Sequence, residues 1–121
     1  MYKIYDIVCK EALKQMNGNR GKLCSQAGHA YLHAWWDAQK RFPEAAKAYQ
    51  DSQHTKKITC VVETEKELEE LLKAYYDVCG VALIKDAGFT VFKEPTVTCL
   101  GIGPIHEDDI GDDLKSLKLL T

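Results

Sequence analysis

The pattern of apolar and polar positions divides the chain into strands and helices in alternation. KIYDIVC, residues 3 to 9, is rich in β-branched and aromatic residues and ends in a near-continuous apolar run, which predicts a first strand. KEALKQMNGNRG follows. Its Asn17, Gly18, Asn19 and Gly21 are turn formers, so this segment reads as a mobile loop or a distorted turn. From about Lys22 to Arg41 the spacing is helical, with Leu23, Ala27, Ala30 and Ala34 in one stripe that reads as the buried face. Phe42-Pro43 interrupts this helix, and PEAAKAYQDS predicts a short second one with Pro43 in its first turn. QHTKK is a polar connector to a second strand, ITCVV, residues 58 to 62.

Thr64 and Glu67 match a capping box for the next helix, in which Leu68, Leu71, Leu72, Tyr75 and Cys79 recur at helical spacing. Gly80 stands where a C-cap glycine belongs. VALIK, residues 81 to 85, predicts a third strand, and DAGFT, residues 86 to 90, a loop with a glycine hinge. TVTCLGIG, residues 96 to 103, predicts a fourth strand, with GIGP as its flexible exit. The rest reads as a short helix and an apolar tail. Strands alternating with helices imply an α/β class. The third and fourth strands are joined by a loop alone, so the pair is expected to be antiparallel. The expected architecture is a three-layer α/β/α arrangement around a mixed four-stranded sheet. A chain of 121 residues without a linker or repeat is expected to be one domain, residues 1 to 121.

Composition narrows the function classes. A net charge of −2 carries no bulk basicity, so a nucleic-acid partner has to be met by a local patch. Lys10, Lys14, Arg20 and Lys22 supply one, with Lys85 and Lys93 beside it. No DNA partner is expected. No apolar run is long enough to span a membrane, and the first residues have no signal-peptide pattern. The five cysteines are odd in number and lack a CxxC, which favours free thiols and a reducing, cytoplasmic setting. No ligand set for a metal is evident, and no cofactor is expected.

The polar chemistry gathers on the first long helix. Lys22, Gln26, His29 and His33 fall within about 60° of one another, roughly 110° from the alanine stripe. Lys22 at a helix start opposes the helix dipole. It is either a tolerated surface lysine or part of an anion site with Arg20 and the free N–H groups of the helix end. His29 is either a boundary residue or, in the company of Gln26 and His33, a proton carrier. Asp86 ends a strand and opens a loop, with Thr90 four residues on. It reads as a turn cap or as a carboxylate that positions a water or a ribose hydroxyl. No nucleophile elbow surrounds Ser25. Trp35 and Trp36 are adjacent and point to different faces.

GKLCSQAGHA (residues 21 to 30), ALIKDAGFT (82 to 90) and TVTCLGIGP (96 to 104) together resemble the peptidyl-tRNA hydrolase family of the archaeal and eukaryotic type, also called type 2. The blocks stand in the family's order and spacing, and a weaker likeness covers nearly the whole chain. The resemblance implies a mixed four-stranded sheet with helices on both faces and a homodimer. It also implies cofactor-free, metal-independent hydrolysis of the ester between a peptide and the 3′ end of tRNA. It points to Lys22, His29 and Asp86 as catalytic and to Gln26, Thr90, Thr96 and Thr98 as substrate-binding; Arg20, beside Lys22 in the candidate anion site, is expected to bind substrate as well. The chain departs from the family at Phe89, where a basic residue is usual, and at Val91, where glutamine is usual. Glu94-Pro95-Thr96 replaces the common Pro-Gly-Thr, and the N-terminal arm lacks the usual Asp-Leu pair. The altered rim leaves a second expectation open: a non-catalytic module that holds tRNA ends or a protein partner.

Overall fold

The computed structural model describes residues 1 to 121. Strand β1 (Tyr2–Cys9) leads into helices α1 (Lys10–Met16), α2 (Arg20–Arg41) and α3 (Pro43–Gln50). Strand β2 (Lys56–Val62), helix α4 (Glu65–Tyr75), and strands β3 (Val81–Asp86) and β4 (Thr96–His106) follow. A 3₁₀ turn (Glu107–Asp109), helix α5 (Asp112–Lys115) and a two-residue strand β5 (Lys118–Leu119) close the chain. The sheet order is β3-β4-β1-β2-β5. β1 and β2 are parallel, and β4 runs antiparallel to both β1 and β3. The expected mixed sheet of four long strands is present, and β5 extends it at the β2 edge by two residues.

Side-chain alternation along β1 divides the core into two layers. Tyr5, Ile7 and Cys9 face Leu68, Leu71 and Tyr75 of α4 and Leu114 of α5. Ile4 and Val8 face the other way, onto Ala30 and Ala34 of α2 and Tyr49 of α3. The alanine stripe lets α2 lie very close to the sheet. A Cβ on Gly101 would collide with the Ala30 carbonyl, and one on Gly80 would stand 2.5 Å from the Ala34 carbonyl. The capping box of Thr64 and Glu67 opens α4 as the sequence implies.

Four local expectations are corrected. Residues 10–16 form a helix and not a loop, because Ala12 and Met16, one turn apart, are both buried. The turn formers begin at Asn17, which ends α1 in the left-handed conformation. α2 starts two residues before Lys22, at Arg20. Gly80 does not cap α4, which ends at Tyr75; Gly80 is the close-approach point under α2. GIGP is not a flexible exit, because β4 continues through it, buried, to His106.

Candidate active site

The N-terminus of α2 and the C-terminal end of β3 meet to form the site. Asn19 caps α2, its Oδ1 accepting from the Lys22 backbone N–H at 2.9 Å. This fixes Lys22 in the first turn, where an ammonium opposes the helix dipole. Asp86 compensates. Lys22 Nζ donates to Asp86 Oδ1 at 2.6 Å, and the two side chains are only 17% and 11% exposed. Lys22 also reaches Thr90 Oγ1 at 3.4 Å and lies over the ring of the buried Phe92, 5.6 Å from its centroid.

Asp86 is held from three sides. Gln26 Nε2 also donates to Oδ1, at 3.3 Å, and the Gly88 backbone N–H donates to Oδ2 at 2.8 Å. The Lys22 ammonium holds the Asp86 carboxyl below the usual carboxylate range, with the Gly88 N–H and the Gln26 amide adding to the effect against partial burial. Asp86 is thus a carboxylate throughout the neutral range. It is also a weak base.

Gln26 is buried despite its place on the polar stripe of α2. Its Oε1 accepts from the Thr98 hydroxyl at 2.6 Å, and its backbone carbonyl accepts from the Cys99 thiol at 3.5 Å. Consecutive strand residues normally face opposite sides. Here the β3–β4 ladder shifts by one: Ile84 pairs with Cys99, and Lys85 with Val97. Thr98 is the extra residue of this bulge, so both it and Cys99 turn toward α2.

Lys22, Gln26, Asp86, Thr90 and Thr98 therefore form one bonded group. His29 and His33 stay outside it. Both are exposed, packed ring to ring at 5.7 Å, and no hydrogen bond joins His29 to Asp86. Arg20 is exposed at the first residue of α2. Thr96 stands opposite Asp86 in the ladder, but its hydroxyl donates to the Glu94 carbonyl. Lys10, of the expected basic patch, pairs with Glu63 at 3.5 Å. Asn19, Gly88 and Phe92 are the contributors that sequence reasoning missed. Asn19 carried a signal, since an asparagine ahead of a helix is a ready N-cap. The other two act through backbone and tertiary contact. No three His, Cys, Asp or Glu residues converge as a metal would need. The site's own donors are one carboxylate, one ammonium, one amide and two hydroxyls.

The chain matches the family described as "Peptidyl-tRNA hydrolase PTH2" over residues 3–120. It is 39% identical over 115 residues to a peptidyl-tRNA hydrolase of Methanococcus vannielii, covering 94% of this chain and 96% of that one. It is 37% identical over 109 residues to one of Thermococcus onnurineus, covering 88% and 91%. A third, from Methanocaldococcus jannaschii, is 34% identical over 102 residues, covering 84% and 88%. With the match running almost from end to end, the chain belongs to the PTH2 peptidyl-tRNA hydrolase family.

Proposed function

We propose that the Lys22–Asp86 pair is the centre at which this chain, as a member of its family, hydrolyses the ester of peptidyl-tRNA, releasing free tRNA and peptide. The observation that carries the assignment is the 2.6 Å contact between an ammonium at a helix start and a carboxylate at a strand end. In the reaction a water oxygen attacks the ester carbonyl carbon. The bond to the ribose oxygen breaks, and the proton that oxygen gains balances the one the attacking water gives up.

Three hydrogen bonds, one of them from the Lys22 ammonium, make Asp86 a poor base. Its role is to orient the water with a remaining lone pair. An ammonium has three N–H donors, and Lys22 uses two, on Asp86 and Thr90. The third is free to stabilise the developing oxyanion. The exposed His29, one turn along from Gln26, hands a proton to the leaving oxygen. Thr90 contacts the peptide carbonyl, Arg20 and Thr96 contact the substrate at the rim, and Gln26, expected from the sequence to touch substrate, is buried and positions Asp86 instead. Thr98 is a positioning residue that acts through Gln26.

The donor set supports hydrolysis without a metal or cofactor. The test is release of tRNA from N-acetyl-aminoacyl-tRNA by the pure protein, with and without EDTA. Equal rates are expected. Loss on chelation, with recovery on added Zn²⁺, would overturn metal independence. Tight tRNA binding without release would favour the non-catalytic module that Phe89 and Val91 leave open.

We further propose that the chain acts in the cytoplasm as one domain in a homodimer, with no DNA or membrane partner. The free thiols support the compartment. An apolar groove between α2 and α3, lined by Tyr31, Leu32, Trp35 and Tyr49, supports the dimer. No helix is long and apolar enough to cross a membrane. Sedimentation equilibrium reads the oligomeric state directly.

A further inference from the structure

Phe89 is 90% exposed, more than any other large hydrophobic side chain of the protein. Leaving a phenylalanine in water forgoes the free energy of burying it. Slack in the loop is not the cause. The residue before it, Gly88, donates its N–H to Asp86 Oδ2, and the residue after it, Thr90, accepts from Lys22 Nζ. Gly88 has φ +85° and packs against the Glu94 backbone, so the loop is folded back on itself. Phe92, three residues on, is buried beneath Lys22. The loop therefore buries one phenylalanine and holds the other outward at the mouth of the site. Exposed cations stand nearby in sequence on both elements: Lys85 and Lys93 around the loop, and Arg20 at the start of α2.

We infer that Phe89 is a stacking surface for an unpaired nucleobase at the 3′ end of the tRNA, an inference that rests on peptidyl-tRNA being the substrate. An exposed aromatic face on a loop that also carries the exposed Lys93 matches a single-stranded nucleotide, whose base stacks and whose phosphate is neutralised. Every base has a π-face, so the contact discriminates base from no base and not one base from another.

The test uses two short RNA strands of equal length and charge. One ends in the tRNA 3′ sequence, and the other has abasic sugars at its last three positions. Fluorescence anisotropy should show the intact protein preferring the base-bearing strand by about 5- to 150-fold. Phe89→Ala should erase that preference and Phe89→Tyr should keep it. Trp36→Ala, which removes a second exposed aromatic about 20 Å along α2, should also keep it. In turnover, Phe89→Ala should raise KM for N-acetyl-aminoacyl-tRNA by a similar factor, with kcat within about twofold. An unchanged preference in Phe89→Ala overturns the inference. So does a KM loss that grows with peptide length, which would seat the peptide on Phe89. A protein that shows the Phe89-dependent preference but releases no tRNA supports the stacking surface and refutes the hydrolase reading.

Discussion

The Thr98 hydroxyl donates to Gln26 Oε1 at 2.6 Å, and that bond decides which way round the Gln26 amide stands. With the oxygen held by Thr98, the NH₂ group must point at Asp86, where it donates to Oδ1. Thr98→Val keeps the shape and removes the donor, leaving a buried amide oxygen without its short partner. The expected cost is about 1–3 kcal/mol in urea unfolding. Turnover should fall as well, because the freed amide can flip and turn its oxygen to the Asp86 carboxylate. Thr98→Ser should restore both. Lost stability with full activity would mean that the amide's orientation does not matter to the reaction.

Asp86→Asn is nearly isosteric, so the protein should stay folded, as far-UV circular dichroism would report. The substitution leaves the Lys22 ammonium without its counter-charge and weakens the hold on the water. Turnover of N-acetyl-aminoacyl-tRNA should drop by about 10²-fold, the cost typical of losing the group that positions a reactant. Binding of uncleaved substrate should persist, since no cation is removed. Because Lys22 holds the Asp86 carboxyl below the usual range, this contribution should persist at mildly acidic pH and fade only as pH falls through the lowered value. Near-normal turnover in a folded variant would exclude Asp86 from the mechanism.

Position alone left Lys22 and Asp86 open between structural and chemical roles, and it was the family resemblance that pointed to them. Lys22 at a helix start and Asp86 at a strand end are visible in one dimension, and both lie where loops meet a rigid sheet. Gln26 was visible as a polar residue on a helix, but its burial was not, because that depends on the β4 bulge turning Thr98 and Cys99 to the same side. A period of two assigns those residues to opposite faces. The helix at Lys10–Met16 was hidden for a related reason: the glycines and asparagines after it dominate the local signal, while burial of Ala12 and Met16 decides the outcome. His29 is the converse case. It shares the stripe with Gln26, but α2 turns it to solvent beside His33.

Gly101 is where α2 and the sheet come closest. Ala30 and Ala34 above it are fully buried. Gly101→Ala puts a methyl group into the Ala30 backbone carbonyl, which cannot move without lifting the helix. The cost should be at least about 3 kcal/mol, at the upper end of overpacking effects. Urea unfolding would measure it. Because the same helix carries Lys22 and Gln26, any folded fraction should also lose turnover. A substitution tolerated within about 1 kcal/mol would show that α2 has room to shift.

Asp6 is the one buried side chain whose two oxygens both lack a hydrogen-bond partner, and it lies fully buried in the central strand. By alternation it shares the α2-facing side of β1 with Ile4 and Val8. Burial pushes its carboxyl up to about 7, and the Cys99 thiol nearby pulls the other way. A carboxyl raised in the folded state binds its proton more tightly there than in the unfolded chain. Stability is therefore fully present below about pH 4 and is lost as pH rises toward 7. Above 7 both states are ionised and the loss levels off. A rise of about three pH units corresponds to about 4 kcal/mol. Asp6→Asn keeps the shape and cannot ionise. The other carboxylates and histidines are common to both proteins, so the difference in unfolding free energy between variant and wild type isolates Asp6. That difference should grow in favour of the variant between pH 4 and 7 and stay constant from 7.5 to 9. A difference independent of pH across this range would show that Asp6 is ionised and accommodated in the native state.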